Sequence, residues 1–482
     1  MAYITQTEQM IQKVEAGRVL ADSKLIKGII KRDRSSTEKK EMVEGKNYYK
    51  IKHNVLNKDF RVYYVKGAQK ISLIKANNKV VNPFYNDLVD QKADYILGKK
   101  PTIAIKQKTQ ERELTKLITK KFFKFLKKSV IGASNKGIEW GHVFVNEKGE
   151  FDYIIIPAEQ IIPDYDTNYK NKLLSLIRYY YVDALDEKGN LVQRTKVEIW
   201  DDKQVTFFIE NEKGEYILDG LEKENPRPHW KEVLQQGEEV VSSTNKNWGD
   251  VPFFPLPNND INMNDLKRVK TSIDLYDVVL SGFGNQIEDL REIHVVIKNY
   301  AGTDNEELVQ MFKESNFIKV AGDGGAEPLE LTIPVAAKES ILKILKENIY
   351  SHGRGIDYSG LALNNPTNMT LTFLFARLDL KANAIISTLE EYVVKLFSYW
   401  ALKNSIELKE DEIEITFNKS IIINESEIIT NVRNSMGIVS RRTMLKNHPW
   451  VDNVDQEIEE IKAESENQVD FSKVSNADGS TT

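Results

Sequence analysis

Residues 266–290, LKRVKTSIDLYDVVLSGFGNQIEDL, set Leu266, Val269, Ile273, Tyr276, Leu280, Phe283, Ile287 and Leu290 at alternating steps of three and four. That period gathers all eight on one stripe of a helix, which at about 30 residues would be roughly 45 Å long. A stripe of this length needs a partner along its whole extent. The stretch before it, Val251-Pro252-Phe253-Phe254-Pro255-Leu256-Pro257, cannot be helix or central strand, because proline lacks an amide donor. It marks a boundary.

Downstream, Ile341, Leu342, Leu345 and Ile349 define a shorter helix over about 335–351, with Lys338, Lys343 and Lys346 on its other side. The two helices can pair as an antiparallel hairpin. Residues 292–334 would then form its far tip, with strand-like 293–297 and 317–320 and a Gly322-Asp323-Gly324-Gly325 turn. Residues 352–369 follow as a loop too long for a simple turn, with Gly353, Gly355 and Gly360 as its expected flexible points. A third long helix begins near Thr370 and aligns Leu371, Leu374, Leu378, Ala382, Ile385, Leu389, Tyr392, Leu396 and Tyr399.

Upstream, residues 5–46 are charged and helical in pattern, and a further helix is expected over 84–97. Between 142 and 218 the runs 151–156, 175–182, 196–200 and 205–209 are rich in β-branched and aromatic residues. They read as an antiparallel meander. Its connectors agree, since Asn146-Glu147-Lys148-Gly149-Glu150, Asp186-Glu187-Lys188-Gly189-Asn190 and Asn211-Glu212-Lys213-Gly214-Glu215 are nearly one turn written three times. At the other end, a strand over 412–417 precedes short helices at about 425–436, 440–446 and 454–463, with Ser440 and Asp452 as caps. Residues 466–482 are polar and expected to be disordered. The fold class read from this order is α+β, mainly helical.

With 482 residues, 41% hydrophobic, the chain can build more than one core. It has no cysteine, which excludes thiol chemistry and disulfides. The net charge of -5 hides an asymmetry: residues 1–130 carry 30 Lys and Arg against 13 Asp and Glu, and the rest is acidic. The lysines are scattered over helical and strand-like segments and read as a solvated face. The uncharged stretch 358–376 holds Asn364-Asn365-Pro366-Thr367-Asn368, which excludes a membrane span. The amino-terminal MAYITQTEQM lacks the pattern of a secretory signal, so assembly in the cytoplasm is expected.

The search for chemistry ends empty. No phosphate-binding G-x-x-x-x-G-K-[ST] loop occurs, and no H-E-x-x-H pair joins His53, His142, His229, His294, His352 or His448. Asp164-Tyr165-Asp166-Thr167-Asn168 resembles the start of a calcium loop, but Tyr169 and Ser175 stand where glycine and glutamate are required. Neither an enzyme nor a cofactor or metal protein is expected.

Several stretches do resemble one family. Asn77-Asn78-Lys79-Val80-Val81-Asn82-Pro83-Phe84 with Lys92-Ala93-Asp94-Tyr95-Ile96-Leu97-Gly98-Lys99 is similar to portal proteins of siphophages of Gram-positive hosts. So are Pro157-Ala158-Glu159-Gln160-Ile161-Ile162-Pro163-Asp164, Ile273-Asp274-Leu275-Tyr276 with Ser281 and Asn285, Leu378-Asp379-Leu380-Lys381, and Gly437-Ile438-Val439-Ser440 with Thr443 and Pro449. The likeness runs over about 40–465 in the family's order. It implies a wing at 1–260, stem helices at 261–291 and 335–351, a clip at 292–334 and a tunnel loop at 352–369. A long wing helix at 370–402, a crown at 403–465 and a disordered tail complete the plan. It also implies a ring of twelve copies at one capsid vertex, conducting double-stranded DNA without sequence preference. The partners implied are terminase, scaffold and major capsid protein, and a head-completion adaptor, with no membrane. The channel contacts it suggests are Gly353, Arg354, Gly355, Asn364, Asn365, Thr367 and Asn368 in the loop and Lys338, Lys343 and Lys346 on the second stem helix. A conduit suits an acidic chain, because every phosphate neutralised by a lysine or arginine would slow passing DNA. Another head or connector protein, or a nucleic-acid-processing enzyme with dispersed carboxylates, are the alternatives.

Overall fold

The computed structural model describes residues 19–72, 75–106, 108–166, 172–186, 188–236, 239–289, 295–298, 325–328, 334–360, 367–420, 425–451 and 453–474. Two helices open it, α1 (Val19–Ser35) and α2 (Thr37–Tyr49), the second capped by the Ser36 hydroxyl accepting from the Lys39 amide. A hairpin of β1 (Val62–Val65) and β2 (Ala68–Ile71) leads to α3 (Phe84–Leu97), β3 (Thr102–Ile105), α4 (Lys108–Thr115) and α5 (Lys120–Lys136). The sheet region follows: β4 (Ile138–Val145), β5 (Phe151–Ile156), β6 (Ile161–Tyr165), β7 (Leu173–Leu185), β8 (Leu191–Trp200), β9 (Gln204–Glu210), β10 (Tyr216–Leu218) and β11 (Arg227–Pro228). It continues through β12 (Trp230–Gln236), β13 (Glu239–Lys246) and β14 (Phe253–Pro257). Then come α6 (Lys270–Asp289), β15 (Val295–Lys298), β16 (Gly325–Pro328), α7 (Val335–Gly353), α8 (Asn368–Lys403), β17 (Ile413–Thr416), α9 (Glu425–Asn434), α10 (Arg441–Lys446) and α11 (Val454–Val474). The fold is α+β, and every strand pairing described is antiparallel. No helix among the described residues is long and apolar enough to cross a membrane.

The chain forms two compact units, residues 1–355 with 381–419, and residues 356–380 with 420–482. In the first, β6 to β10 make the expected meander, in the order β10-β9-β8-β7-β6, with β11 also on β9. The three similar turns are one structure. In each, the Asn or Asp side chain accepts from the amides two and four residues on, at 2.7–3.0 Å, and Gly149, Gly189 and Gly214 take φ of +79°, +79° and +71°. Helix α1 lays Ile26, Ile29 and Ile30 on the sheet's Ile177, Val197, Ile199 and Phe208, all buried. Strands β4 and β5 stand apart from the meander, in a sheet of order β14-β4-β5. Gly141 on β4 has no side chain, so Phe254 and the Tyr392 hydroxyl close over the strand; a Cβ there would lie 2.4 Å from the Phe254 ring. From Lys381 onward α8 belongs to this unit, stacking Tyr392 on Phe125 and Phe397 on Phe122 at centroid distances of 5.6 and 5.7 Å.

Several sequence expectations need correction. Residues 403–419 belong to the first unit rather than to a carboxy-terminal domain, because β17 pairs with β3, Ile413 opposite Ile105. The helix expected to stop near 463 runs as α11 to Val474, into the stretch expected to be disordered, since nothing in 464–474 breaks a helix. At its start the Asn453 side chain accepts from the Asp455 and Gln456 amides, while Asp452, like 317–320, lies outside the described residues. Asp164, read as the start of a calcium loop, is buried on β6 and accepts from the Ser175 hydroxyl at 3.3 Å, its cross-strand neighbour on β7.

His142 on β4 is enclosed by Phe253 at 4.2 Å and Trp200 at 4.9 Å, its Nδ1 2.8 Å from the Pro252 carbonyl. Burial pushes its pKa down to about 3, and that of His229 to about 4. Both lie below the unfolded value of about 6.5, so their contribution to stability is present above that pH and is lost as the pH falls towards 4. Unfolding free energy measured against pH should fall by on the order of 2 kcal/mol between pH 6.5 and 5 on account of His142. His142→Gln should flatten that slope by the same amount; an unchanged slope would show that this histidine is not held neutral.

Candidate functional site

Helix α6 meets the rest of the unit through a row of polar side chains. Its buried positions are Ile273, Asp277, Ser281 and Asn285, four apart. The Asp277 carboxylate accepts from the Asn82 amide at 3.0 Å, the Ser281 hydroxyl from the Val80 amide at 2.9 Å and the Asn285 side chain from the Asn78 amide at 2.6 Å. Asp289 extends the row, accepting from the Ala76 amide at 2.8 Å. In return Asn285 donates to the Asn78 carbonyl at 3.1 Å. The spacing has a simple origin. Four helical residues rise about 6 Å, and two residues of extended chain about 6.6 Å, so every fourth side chain on α6 meets every second amide of 76–82. The segment's backbone is satisfied by a helix instead of a neighbouring strand.

Asp277 carries most of this row. It is fully buried, its Oδ1 also accepts from the Asn82 side chain at 2.8 Å, and its Oδ2 lies 2.6 Å from His53 Nδ1. Tyr48 stacks on the His53 ring at 4.4 Å and donates to Asp274. Pro83 then ends the extended segment and α3 begins.

This row displaces the expected apolar seam. Leu266 and Val269 are buried, but they lie in and just after a single 3-10 turn, Asp265–Arg268, before α6. Along α6 proper the inward face is polar, so Tyr276, Leu280 and Phe283 are only half-buried and Ile287 is 47% exposed. Leu275 is 44% exposed. Helix α7 packs beside α6 and buries Leu345, Ile349 and Gly353, leaving Ile341 and Ile344 exposed.

The candidate residues separate into groups. The Lys338 ammonium lies over the Phe283 ring at 4.8 Å and donates to Gln286, so it faces α6 and not open space. Lys343 is exposed and Lys346 half-buried. Gly353 is the last residue of α7 and Arg354 its left-handed cap at φ 54°, with the Gly355 amide donating to the Tyr350 carbonyl. Gly353 and Gly355 serve close approach: a Cβ on either would lie 2.5 or 2.2 Å from Leu88. They let the chain press onto α3. Thr367 and Asn368 belong to the start of α8, the Thr367 hydroxyl accepting from the Thr370 amide at 3.2 Å. Asn364 and Asn365 lie outside the described residues.

A buried charged cluster went unread in the sequence. Lys92 of α3 is 1% exposed and donates to Asn258 at 2.5 Å, with Asp265 at 3.3 Å. Burial, opposed by Asp265, pushes the Lys92 pKa down to about 8. Burial works to raise the Asp265 pKa, yet Lys381 and Lys92 overcome it and hold the carboxyl well below its usual range.

Comparison with known proteins adds the following. The profile described as "Phage portal protein, SPP1 Gp6-like" matches residues 30–470. The portal protein of Bacillus phage SPP1 is 31% identical over 473 residues, covering 95% of this chain and 90% of that one. The portal protein of Clostridium phage phiCD119 is 29% identical over 470 residues, covering 93% and 97%. A solved chain from the neck of a native GTA particle, computed with C12 symmetry, aligns with a TM-score of 0.39 and 7% identity over 75% of this chain and 88% of that one.

Asp277→Ala would strand three donors, the His53 ring among them fully buried and the two of Asn82 partly so, and the expected loss is about 3 kcal/mol in urea unfolding. Ser281→Ala, which leaves one amide unpaired, should cost about 1 kcal/mol. Hydrogen exchange at the amides of Asn78, Val80 and Asn82 should accelerate in both. Wild-type stability in the first variant would mean that the row contributes nothing.

Proposed function

Because the chain belongs to the SPP1 Gp6-like family of phage portal proteins, we propose that it acts as one subunit of a closed ring at a single capsid vertex. Double-stranded DNA enters through the ring during packaging and leaves through it at ejection. The role is structural, and the protein is a component of the virion, assembled in the host cytoplasm before DNA enters.

The observation that carries the ring is the uncovered apolar surface of the α6–α7 hairpin. Leu275, Ile287, Ile341 and Ile344 are each between 38% and 53% exposed. Covering the rest of such side chains is worth about 1 kcal/mol apiece, gained once per subunit in a closed ring, where each contact joins two different surfaces. Twelve copies are the proposed number. Residues 292–334 would form the clip that receives terminase and later the head-completion adaptor, and the sheet region the wing that meets scaffold and capsid protein.

In this reading the loop between α7 and α8 reaches the channel. Gly353 and Gly355 are its fixed root, Thr367 and Asn368 its exit into α8, which leaves Arg354, Asn364 and Asn365 to meet the DNA backbone. Lys343 and Lys346 belong to the channel face of α7, and Lys338 to the helix pairing. Contact with phosphate should be sparse and sensitive to salt.

Native mass spectrometry and electron microscopy of the purified protein should show rings, and Ile287→Asp with Ile344→Asp should reduce them to monomers of near wild-type melting temperature. A wild type that stays monomeric under every assembly condition would refute the ring; rings in the double variant would refute this interface. Replacing residues 356–366 by a short Gly/Ser linker should leave rings intact and lower the rate at which heads fill with DNA. Heads filled at the wild-type rate would reduce the loop to a connector.

A further inference from the structure

Helices α1 and α2, the turn after them at 52–57 and strand β7 wall a cavity of about 870 Å³ inside the first unit. Its charges do not cancel. Of the acidic groups on the wall, Glu44 is bonded to Lys270, and Glu159 to Lys46 and Lys136. Lys39 is engaged by Asp33 and by the Ala158 and Ile161 carbonyls. Arg34, Lys40 and Lys52 remain, all exposed, and among the described residues none of the three is paired with a carboxylate. Arg34 is nevertheless held in place. Its guanidinium lies over the Tyr179 ring at 5.1 Å and the Tyr181 ring at 4.9 Å, and donates to the Thr195 hydroxyl at 3.4 Å. Two rings and a hydroxyl orient the group without neutralising it.

Three exposed cations alone would be an ordinary solvated face. The inner wall of the cavity is different. His53 lines it, with no exposed area on its side chain. Asp277 meets Nδ1 at 2.6 Å and Tyr48 stacks on the ring at 4.4 Å, while Nε2 has no hydrogen-bond partner among the described residues. A buried nitrogen in that position has lost its water with nothing in return. The ring cannot turn to find a partner without breaking its bond to Asp277, which the Asn82 amide and side chain fix in turn. A carboxylate on one nitrogen thus aims the other at whatever occupies the cavity. Among the described residues no three His, Asp or Glu side chains gather to hold a metal, and the unpaired groups of the cavity are cations, so the occupant they fit is an anion.

We propose that this cavity is a binding site for a phosphomonoester, whose phosphate sits among Arg34, Lys40 and Lys52 with Nε2 of His53 donating to one of its oxygens. Three positive charges fit a group that brings nearly two negative ones and three acceptor oxygens, as a terminal phosphate does near neutral pH. A carboxylate or a phosphodiester brings one. The Arg34 fork can take two of the oxygens, and the imidazole with a proton on each nitrogen serves Asp277 and the ligand together. The volume is that of a small-molecule site and leaves room for the group that carries the phosphate. The site requires neither the ring nor the conduit, so its failure would leave that reading untouched.

Isothermal titration of the full chain with inorganic phosphate, in low salt at about pH 7.5 where the ion is mostly dianionic, should show one saturable site per subunit. Lys40→Ser with Lys52→Ser should weaken it roughly tenfold or more, with an unchanged urea midpoint because both side chains are exposed. Crystals soaked in tungstate, a tetrahedral oxyanion that scatters strongly, should hold it against Nε2 of His53. A nucleoside monophosphate should displace the phosphate, whereas oligoglutamate and a duplex oligonucleotide without terminal phosphates should not. Displacement by oligoglutamate would assign the cavity to acidic protein segments, and displacement by the duplex to phosphodiesters; either overturns the proposal. It is also overturned by the absence of saturable binding, by binding that the double variant leaves unchanged, or by tungstate found only away from His53.

Discussion

Four side chains on one helix satisfy the backbone of a distant segment because two repeats nearly agree, about 6 Å for a helical turn of four and about 6.6 Å for a pair of extended residues. The mismatch accumulates to only about 2 Å over the four rungs from Asp277 to Asp289, which side chains absorb. That agreement dictates the rest of the hairpin. Once the inner face of α6 is given to Asp277, Ser281 and Asn285, its apolar residues must point elsewhere. Some meet α7, while Leu275 and Ile287 stay 44% and 47% exposed. A polar face towards 76–82 and an exposed apolar face follow from a single choice of residues.

The buried cluster works by the opposite logic. In the row along α6 each side chain meets a backbone amide of its own, whereas Lys92 and Lys381 share Asp265. The excess charge is tolerated because the ammonium groups also reach neutral acceptors, Lys92 the Asn258 side chain and Lys381 the Gly353 carbonyl. Burying lysine is expensive and is useful only where its reach matters. Here it joins the end of α7 to the middle of α8.

Much of the architecture was legible in the sequence. The bounds of α3 and β5, the meander and the turns at Gly149, Gly189 and Gly214 depend on local patterns, and local patterns are what a sequence displays. The stripe on α8 was legible too, since Ala382, Ile385, Leu389, Tyr392 and Leu396 all face a core. The inner face of α6 was not, because the 3,4 stripe of Tyr276, Leu280 and Phe283 outweighs three polar residues whose partners lie some 200 positions away. The signal existed, an uninterrupted step of four from Asp277 to Asp289, but it has meaning only beside 76–82. Of the candidate site, the place of the loop was legible and the role of its glycines was not: a glycine that permits close approach to Leu88 reads the same as one that permits motion. Nor does a lysine announce burial, so Lys92 passed as solvated and Lys381 drew no structural reading.

The turns and the row along α6 also differ in when they can form. Each turn closes within five residues, whereas the rungs join residues 195 to 213 positions apart. During synthesis, residues 76–82 therefore leave the ribosome long before their acceptors exist, and water alone can solvate their amides in the interval. The meander, lying between the two, has been made in full by the time α6 emerges. A nascent chain thus cannot display the exposed apolar side of α6 until the whole meander is already behind it, which separates in time the folding of that sheet from any contact the helix makes.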